Sequence, residues 1–388
     1  MYDEKYMLLA IEIAEQGRGK CSPNPAVGAV VVRDDTILAI GYTQPCGQDH
    51  AEVQAIKKAG DCNGADLYVT LEPCSHYGKT PPCAEGIISA GIKNVFAGIK
   101  DPNPKVNGKG FEMLKQAGIK AEYPFFEDTI SRQLECYLHW ITTGKPFVIL
   151  KNAVSLDGKI ADTQGNSKWI TNESSRKKVH ELRQEVDAVL TTINTVKQDN
   201  PTLNVRLENT HKHPIRIVLD PFLELSKDSN IYKTTHEYKT MVFHAQQATN
   251  SPPKRGGCEA DGEPYRGLQA SLSGCNGGHI KYIPVSSSDS CLDISEILTI
   301  LGEMKITSLL VEAGTTLNSY MLKKRLVNKL FYFIAPRILG GTRNVYDDLD
   351  IANIDNQIKI DDIQIEVINN DMLVCGYPIY IKKLLTKI

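Results

Sequence analysis

The sequence has no apolar run near the roughly 18 residues needed to cross a bilayer; Ala29-Val30-Val31-Val32, the longest near its start, is strand-sized. It has no surplus of either charge, since 44 basic residues face 46 acidic ones for a net charge of −2. A broad binder of phosphate backbones shows a basic excess, so neither a nucleic acid nor a membrane is the expected partner. Met1-Tyr2-Asp3-Glu4-Lys5 puts no basic stretch ahead of an apolar one, so no secretion signal is expected. Ten cysteines without such a signal read as thiols and metal ligands in a cytoplasmic setting, not as a disulfide framework. The G-x-G-x-x-G fingerprint of dinucleotide folds is missing too.

What is present suffices for two cores. A chain of 388 residues, 41% of them hydrophobic, exceeds one ordinary domain of about 150 residues. Tyr6, Met7, Ala10, Ile11 and Ala14 recur at helical spacing and predict a first helix ending near Gly17. Strands follow over Ala26 to Val32 and Thr36 to Tyr42, joined at Asp34-Asp35, then a helix over Ala51 to Ala59. Leu67 to Thr70 and Val95 to Ile99 read as strands, Ala84 to Ala90 and Gly110 to Ala117 as helices, and Ile119 to Tyr123 as a last strand. The order α-β-β-α-β-α-β-α-β predicts a three-layer α/β domain over 1–124.

Phe125 to Thr143 reads as one connecting helix, with Leu134, Tyr137, Leu138 and Ile141 on its apolar face; Gly144-Lys145-Pro146 ends it. A second α/β domain is expected over 145–388. Its strands are Phe147 to Ala153, Ala188 to Thr192, Ile215 to Leu219, Ser308 to Val311, Lys329 to Ile334 and a pair within Ile363 to Leu384. Its helices are Glu173 to Glu185, Ile294 to Met304 and Thr316 to Lys323. From about 246 to 278 the chain is poor in large apolar residues, and a mobile surface insertion carrying Cys258 and Cys275 is expected there.

His50-Ala51-Glu52 is followed by Pro73-Cys74 and, after eight further residues, Cys83. One imidazole and two thiolates fill three zinc positions and leave the fourth for water, which zinc acidifies from a pKa of about 15.7 towards neutrality. A glutamate that stays off the metal then moves protons, as hydrolytic deamination of an amidine-like ring carbon requires. Glu52 sits two residues beyond His50 at a predicted helix start. Cys83 follows Pro81-Pro82 at another, where the positive helix end favours a thiolate. Singly, His50 is an ordinary packed histidine and Cys74 an inert thiol; it is the set, spaced over strand-to-helix junctions, that carries the chemistry. Cys21, Cys46, Cys62 and Cys136 remain rival ligands, each without a glutamate partner.

Thr70-Leu71-Glu72-Pro73-Cys74-Ser75-His76-Tyr77-Gly78-Lys79-Thr80-Pro81-Pro82-Cys83, with Ser22-Pro23-Asn24-Pro25 and Asp101-Pro102-Asn103-Pro104, resembles the bifunctional riboflavin-biosynthesis deaminase/reductase family, the RibD type. The resemblance implies a cytidine-deaminase-like first domain with Asn24, His76, Lys79, Asp101 and Asn103 around the pyrimidine and ribose phosphate. Where that family often has a histidine this chain has Thr43, which is therefore left out of the site.

Lys151 to Ile160, Ser167-Lys168-Trp169-Ile170-Thr171, Thr195 to Arg206 and Val311-Glu312-Ala313-Gly314 resemble the reductase half, which implies a dihydrofolate-reductase-like α/β fold using NADPH. On spacing alone the turn after Val311 is only an ordinary strand-turn-helix. Carried over position by position, Ala153, Trp169, Thr195, Asp199, Gly314, Thr315, Thr316, Leu317, Asn318, Ser319 and Tyr320 contact the nucleotide. Ser167, Arg183, Leu203, Arg206 and Glu312 contact the substrate, with Arg183 and Arg206 forking its 5′-phosphate. Lys151 and Asp199 orient or protonate the reacting centre. Pro221 replaces a polar residue of some relatives, which removes one nucleotide contact from the expectation. The partners implied are phosphoribosylaminopyrimidine substrates, Zn2+, NADPH and further copies of the chain in a homo-oligomer. Two other readings stay open: a single-activity deaminase with a non-reducing second domain, and a zinc-stabilised nucleotide-binding or nucleic-acid-editing module. The neutral charge and the long Cys74–Cys83 spacing count against the latter.

Overall fold

A computed structural model describes residues 2–246, 280–288, 291–347 and 349–380. The insertion expected at about 246 to 278, with its two cysteines, lies outside them apart from Gln246. The chain divides into two compact units, Met1–Phe147 with Lys305–Thr307, and Val148–Met304 with Ser308–Ile388.

The first unit holds α1 (Glu4–Ala14), β1 (Gly28–Arg33), β2 (Thr36–Tyr42), α2 (Ala51–Ala59), β3 (Asp66–Leu71), α3 (Cys83–Ser89), β4 (Asn94–Ile99), α4 (Lys109–Gln116), β5 (Lys120–Glu122), α5 (Glu127–Gln133) and α6 (Glu135–Thr143). Asp34 and Asp35 take positive φ, 50° and 61°, and this two-residue loop turns β1 into β2. The sheet runs β2-β1-β3-β4-β5, antiparallel at β1 and parallel from β3 to β5.

Its layering follows from two glycines. Ala29 pairs with Gly41, so Gly28 and Gly41 point to opposite faces of the sheet. A Cβ on Gly28 would stand 1.9 Å from the Ala10 carbonyl oxygen of α1, and one on Gly41 2.2 Å from that of Ala51 in α2. Each helix is seated directly on backbone, one per face, which gives three layers. Gly41→Ala is expected to push α2 outward and cost roughly 1–3 kcal/mol by overpacking. A thermal melt and a zinc titration check this; a variant equal to the parent in both would show that the close seat is dispensable.

The expected connecting helix is two helices, α5 and α6, broken at Leu134 (φ −99°, ψ 10°). Ile130, Leu134 and Tyr137 are buried in the core of the first unit. The break carries no glycine or proline, so periodicity ran straight through it.

The second unit comprises β6 (Phe147–Ser155), α7 (Glu173–Glu185), β7 (Ala188–Thr192), α8 (Ile193–Asp199), β8 (Ile215–Leu219), α9 (Asn230–Lys233), β9 (Thr240–Ala245) and β10 (Ile280–Val285). It continues with β11 (Ser287–Ser288), β12 (Cys291–Leu292), α10 (Ile294–Glu303), β13 (Ser308–Val311), α11 (Thr315–Lys323), β14 (Lys329–Ala335), β15 (Lys359–Ile368) and β16 (Asp371–Ile379). Nine strands order as β10-β9-β8-β7-β13-β6-β14-β16-β15. β13, β7, β8, β9 and β10 pair in parallel, and the β15–β16 hairpin closes one edge in antiparallel. The carboxyl ends of β7 and β13 therefore open together, the usual place for a ligand crevice in a parallel sheet. No helix among the described residues is long and apolar enough to cross a membrane.

Candidate active sites

Three segments of the first unit bring their donor atoms together. His50 caps the start of α2, Cys74 lies in the loop after β3, and Cys83 opens α3 behind Pro82. His50 Nδ1 stands 3.3 Å from Cys83 Sγ and 3.6 Å from Cys74 Sγ. A tetrahedral ion with Zn–S about 2.3 Å and Zn–N about 2.0 Å spaces its donors by roughly 3.5 Å, so the trio suits zinc. Among the described residues it is the one such group of His, Cys, Asp and Glu. Cys21, Cys46, Cys62 and Cys136 lie outside it.

A bond with Cys83 and then the His50 imidazole hold Cys74 down to about 4, as a thiolate. That same bond, with burial, pushes Cys83 well up. Glu52, in the first turn of α2, is buried beside the trio, and burial pushes its carboxyl up to about 7.

The residues expected around the pyrimidine are less uniform. Asp101 is buried; its carboxylate accepts from the Tyr137 hydroxyl at 3.1 Å and from Asn103 N at 2.9 Å, and burial lifts it to about 6. Asn103 turns its own amide oxygen to Lys105 N. Asn24 is held by Cys21, whose thiol donates to its carbonyl. His76 has a buried Nδ1 without a partner, and Lys79 Nζ lies 3.7 Å from Cys46 Sγ. Asn24, His76 and Lys79 make no hydrogen bond to the trio. Thr43 is buried and its hydroxyl accepts from Val27 N at 3.0 Å.

Two functional neighbours escaped the sequence reading. Glu72 is buried and accepts from the backbone N–H groups of Asp101 (3.2 Å), Gly108 (3.0 Å) and Gly110 (3.0 Å), suspending the whole 101–110 loop. Gly110 is obligatory in this, since its Cβ would stand 2.0 Å from Pro73 O. Tyr137, read as a core residue, presents its hydroxyl to Asp101. Glu72 was visible as a carboxylate at an apolar strand end, but its partners come from 29 to 38 residues further along the chain.

In the second unit a cleft of about 620 Å3 opens at the sheet's carboxyl edge. Lys151 and Ala153 line it from β6, Ser167 and Trp169 from the following loop, Arg183 from α7, and Thr195 and Asp199 from α8. Leu203, Arg206, Glu312, Gly314 and Thr315 complete the expected set in its wall. Thr316 to Tyr320 are not in the wall. Asn318 and Ser319 are buried directly behind it, Asn318 donating to Asn152 and Ser319 donating to Thr315 O and accepting from Asp347 N, all three of them wall residues. At the expected departure, the Pro221 carbonyl accepts from Ala245 N.

The electrostatics of the cleft are strong. Glu312 takes a two-pronged bond from Arg183, Nε–Oε1 2.6 Å and Nη2–Oε2 2.9 Å, and Lys151 Nζ stands 3.6 Å away. Burial alone would raise the Glu312 carboxyl, but the two cations hold it down to about 2; burial lowers Lys151 in turn. Arg183, expected to fork a phosphate, makes its two-pronged bond with Glu312 and lines the cleft. Asp199 accepts from the Ser167 hydroxyl at 2.9 Å. His180, on the α7 face that also bears Arg176 and Arg183, was not foreseen; burial and then Arg183 and Arg206 push it down to about 4, so it lines the cleft as a neutral imidazole. Six Lys and Arg residues against three Asp and Glu make the wall cationic.

A zinc-type pyrimidine deaminase joined to a reductase that binds anionic ligands is the class these two units define. Residues 1–99 match the cytidine and deoxycytidylate deaminase zinc-binding region, and residues 146–374 match the RibD C-terminal domain. The chain belongs to the RibD family of bifunctional riboflavin-biosynthesis deaminase/reductases. It is 38% identical to the riboflavin biosynthesis protein RibD of Aquifex aeolicus over 374 residues, covering 96% of this chain and 97% of that one. It is 41% identical to the RibD of Bacillus amyloliquefaciens, covering 88% and 86%. The solved RibD of Acinetobacter baumannii superposes with a TM-score of 0.82 at 34% identity, covering 97% and 98% of the two chains. The Thermotoga maritima diaminohydroxyphosphoribosylaminopyrimidine deaminase/5-amino-6-(5-phosphoribosylamino)uracil reductase gives 0.79 at 36% identity, with the same coverage.

Proposed function

We propose that the first unit deaminates 2,5-diamino-6-(5-phosphoribosylamino)pyrimidin-4(3H)-one at C2. The second then reduces 5-amino-6-(5-phosphoribosylamino)uracil to its ribitylamino product. The observation that carries the reading is the convergence of His50, Cys74 and Cys83 with Glu52 buried beside them and outside the donor set. His50, Cys74 and Cys83 would hold Zn2+, which when bound supplies the Lewis acidity that makes water nucleophilic near neutral pH. Glu52 takes one proton of the attacking water to the ring nitrogen, then moves the second from the hydroxyl of the tetrahedral adduct to the departing amine, which leaves as ammonia. Asp101 and Asn103, braced by Glu72 and Tyr137, face the pyrimidine side, and Asn24, His76 and Lys79 complete the pocket.

In the second unit the cleft would hold NADPH, whose chemistry when bound would be hydride supply for reduction of the ring-opened C1′ imine to a ribityl chain. Ala153, Trp169, Thr195, Asp199, Gly314, Thr315, Thr316, Leu317, Asn318, Ser319 and Tyr320 would receive the nucleotide, while Ser167, Arg183, Leu203, Arg206 and Glu312 receive the substrate. Lys151 and Asp199 steer the proton that accompanies the hydride. Arg183 also fixes Glu312, with Arg206 as the exposed fork for the 5′-phosphate. The reading includes a homo-oligomer, supported by Ile363, Ile365 and Val367, which are 54–70% exposed on one face of the edge strand β15. It includes a cytoplasmic setting without nucleic-acid or membrane partners, supported by the near-neutral charge.

Incubation with the diaminopyrimidine ribotide, with and without NADPH, followed by mass analysis, tests both steps. The expected result is a rise of about one dalton, then about two more only with cofactor, for NH replaced by O and for hydride plus proton. A first rise without a second would leave a single-activity deaminase. Strong, salt-sensitive retention of RNA with no rise at all would favour the editing module.

A further inference from the structure

Between Leu203 and Arg206 lies a side chain to which no role has been given. Asn204 is half-buried and outside the cleft wall, yet its amide holds a residue that is in it. Its Oδ1 accepts from Arg206 Nη1 at 2.8 Å, and its Nδ2 donates to the Tyr238 hydroxyl at 3.2 Å. Its main-chain carbonyl accepts from Arg183 Nη1 at 3.2 Å. One residue therefore ties two of the cleft arginines, Arg183 and Arg206, to a common point.

Tyr238 is itself anchored. Its carbonyl accepts from Arg216 Nη2 at 3.2 Å, and the Arg216 guanidinium lies 5.2 Å from its ring centroid. Arg216 is fully buried, and its remaining donors go to Thr202 O, Ile231 O and the hydroxyls of Thr234 and Thr240. A continuous path of contacts thus runs from a core arginine through Tyr238 and Asn204 to the exposed Arg206. An exposed arginine left alone samples many rotamers, and each ligand that binds it must first freeze them.

We propose that Asn204 is a positioning residue for the reductase reaction: it presets the Arg206 guanidinium beside Arg183, so that the cleft recognises the phosphorylated end of its substrate at little ordering cost. The proposal rests on the reading of Arg206 as a substrate contact. Truncating the side chain leaves the main-chain bond to Arg183 in place, so the effect is confined to Arg206 and Tyr238.

The test is steady-state reduction of the deaminated ribotide by the full-length metal-loaded chain carrying Asn204→Ala, Arg206→Ala, both, or Tyr238→Phe. Asn204→Ala should raise the ribotide KM roughly tenfold, as loss of a bond to a charged group does, with kcat and the NADPH KM unchanged. Arg206→Ala should raise the same KM at least as far, and the double variant should be no worse than Arg206→Ala alone, because one residue acts through the other. Tyr238→Phe keeps its ring over Arg216 and should show a smaller rise of the same kind. If Arg206→Ala raises the KM and Asn204→Ala does not, or if the two effects multiply in the double variant, the positioning role is wrong. A general loss of kcat with a higher NADPH KM in Asn204→Ala, without a selective rise in Tyr238→Phe, also overturns it. An unchanged KM in Arg206→Ala marks a different failure, that of the substrate reading itself.

Discussion

Glu52→Ala is expected to release ammonia at least about 100-fold more slowly than the parent chain while keeping its zinc, the loss usual for a general acid–base group. The two readouts separate because Glu52 lies outside the donor trio, in the first turn of the helix that His50 caps. Its burial keeps bulk water from taking over the proton. Glu52→Gln, which keeps shape and removes the titrating oxygen, should be about as slow. Metal analysis and ammonia assay on the same preparations decide the point. Full activity in either variant would remove Glu52 from the mechanism, and loss of metal would make it a structural ligand neighbour instead.

The second large effect is at Glu312. With side chains only 11% exposed, Glu312 and Arg183 form a paired fork with Lys151 close by. Glu312→Gln leaves two partly buried cations without their counter-charge, and removing one partner of such a pair costs about 3–5 kcal/mol. NADPH oxidation should stop and the reductase unit should melt earlier, while ammonia release, housed in the other unit, persists as an internal control. The pH dependence has a definite sign. The Glu312 carboxyl is lowered from 4.5 to about 2, so the stability it adds is fully present above pH 4.5 and lost as pH falls through 2. The Gln variant should lack that acid-side loss. Equal melting temperatures for parent and variant from pH 5 down to pH 2 would refute the assignment.

The first site was legible because its parts sit at junctions that periodicity locates. Thr36–Tyr42 and Ala51–Ala59 have the ends that alternation and the Gly60 stop predict, which places His50 and Glu52 on one helix start. Glu72 was hidden because its role lies in three main-chain donors, and no spacing announces a side chain that bonds backbone. The second site was less legible. Arg183 and Glu312 meet across 129 residues, and nothing local marks either as half of a pair. α8 was missed because it starts directly from β7, capped only by the Thr192 hydroxyl. Within Thr316 to Tyr320 only Asn318 and Ser319 are buried while Thr316 is exposed, so helical spacing alone does not mark which of these side chains face the cleft.

The surplus of positive side chains around the reductase cleft reaches past recognition into kinetics. Such a field gathers any multivalent anion, and it is felt over only about 10 Å at 0.1 M salt. Capture of the phosphorylated intermediate will slow as ionic strength rises, while turnover at saturation stays level. Sulfate or phosphate buffers will act as competitors, so the commitment of each encounter depends on the solution as much as on the protein.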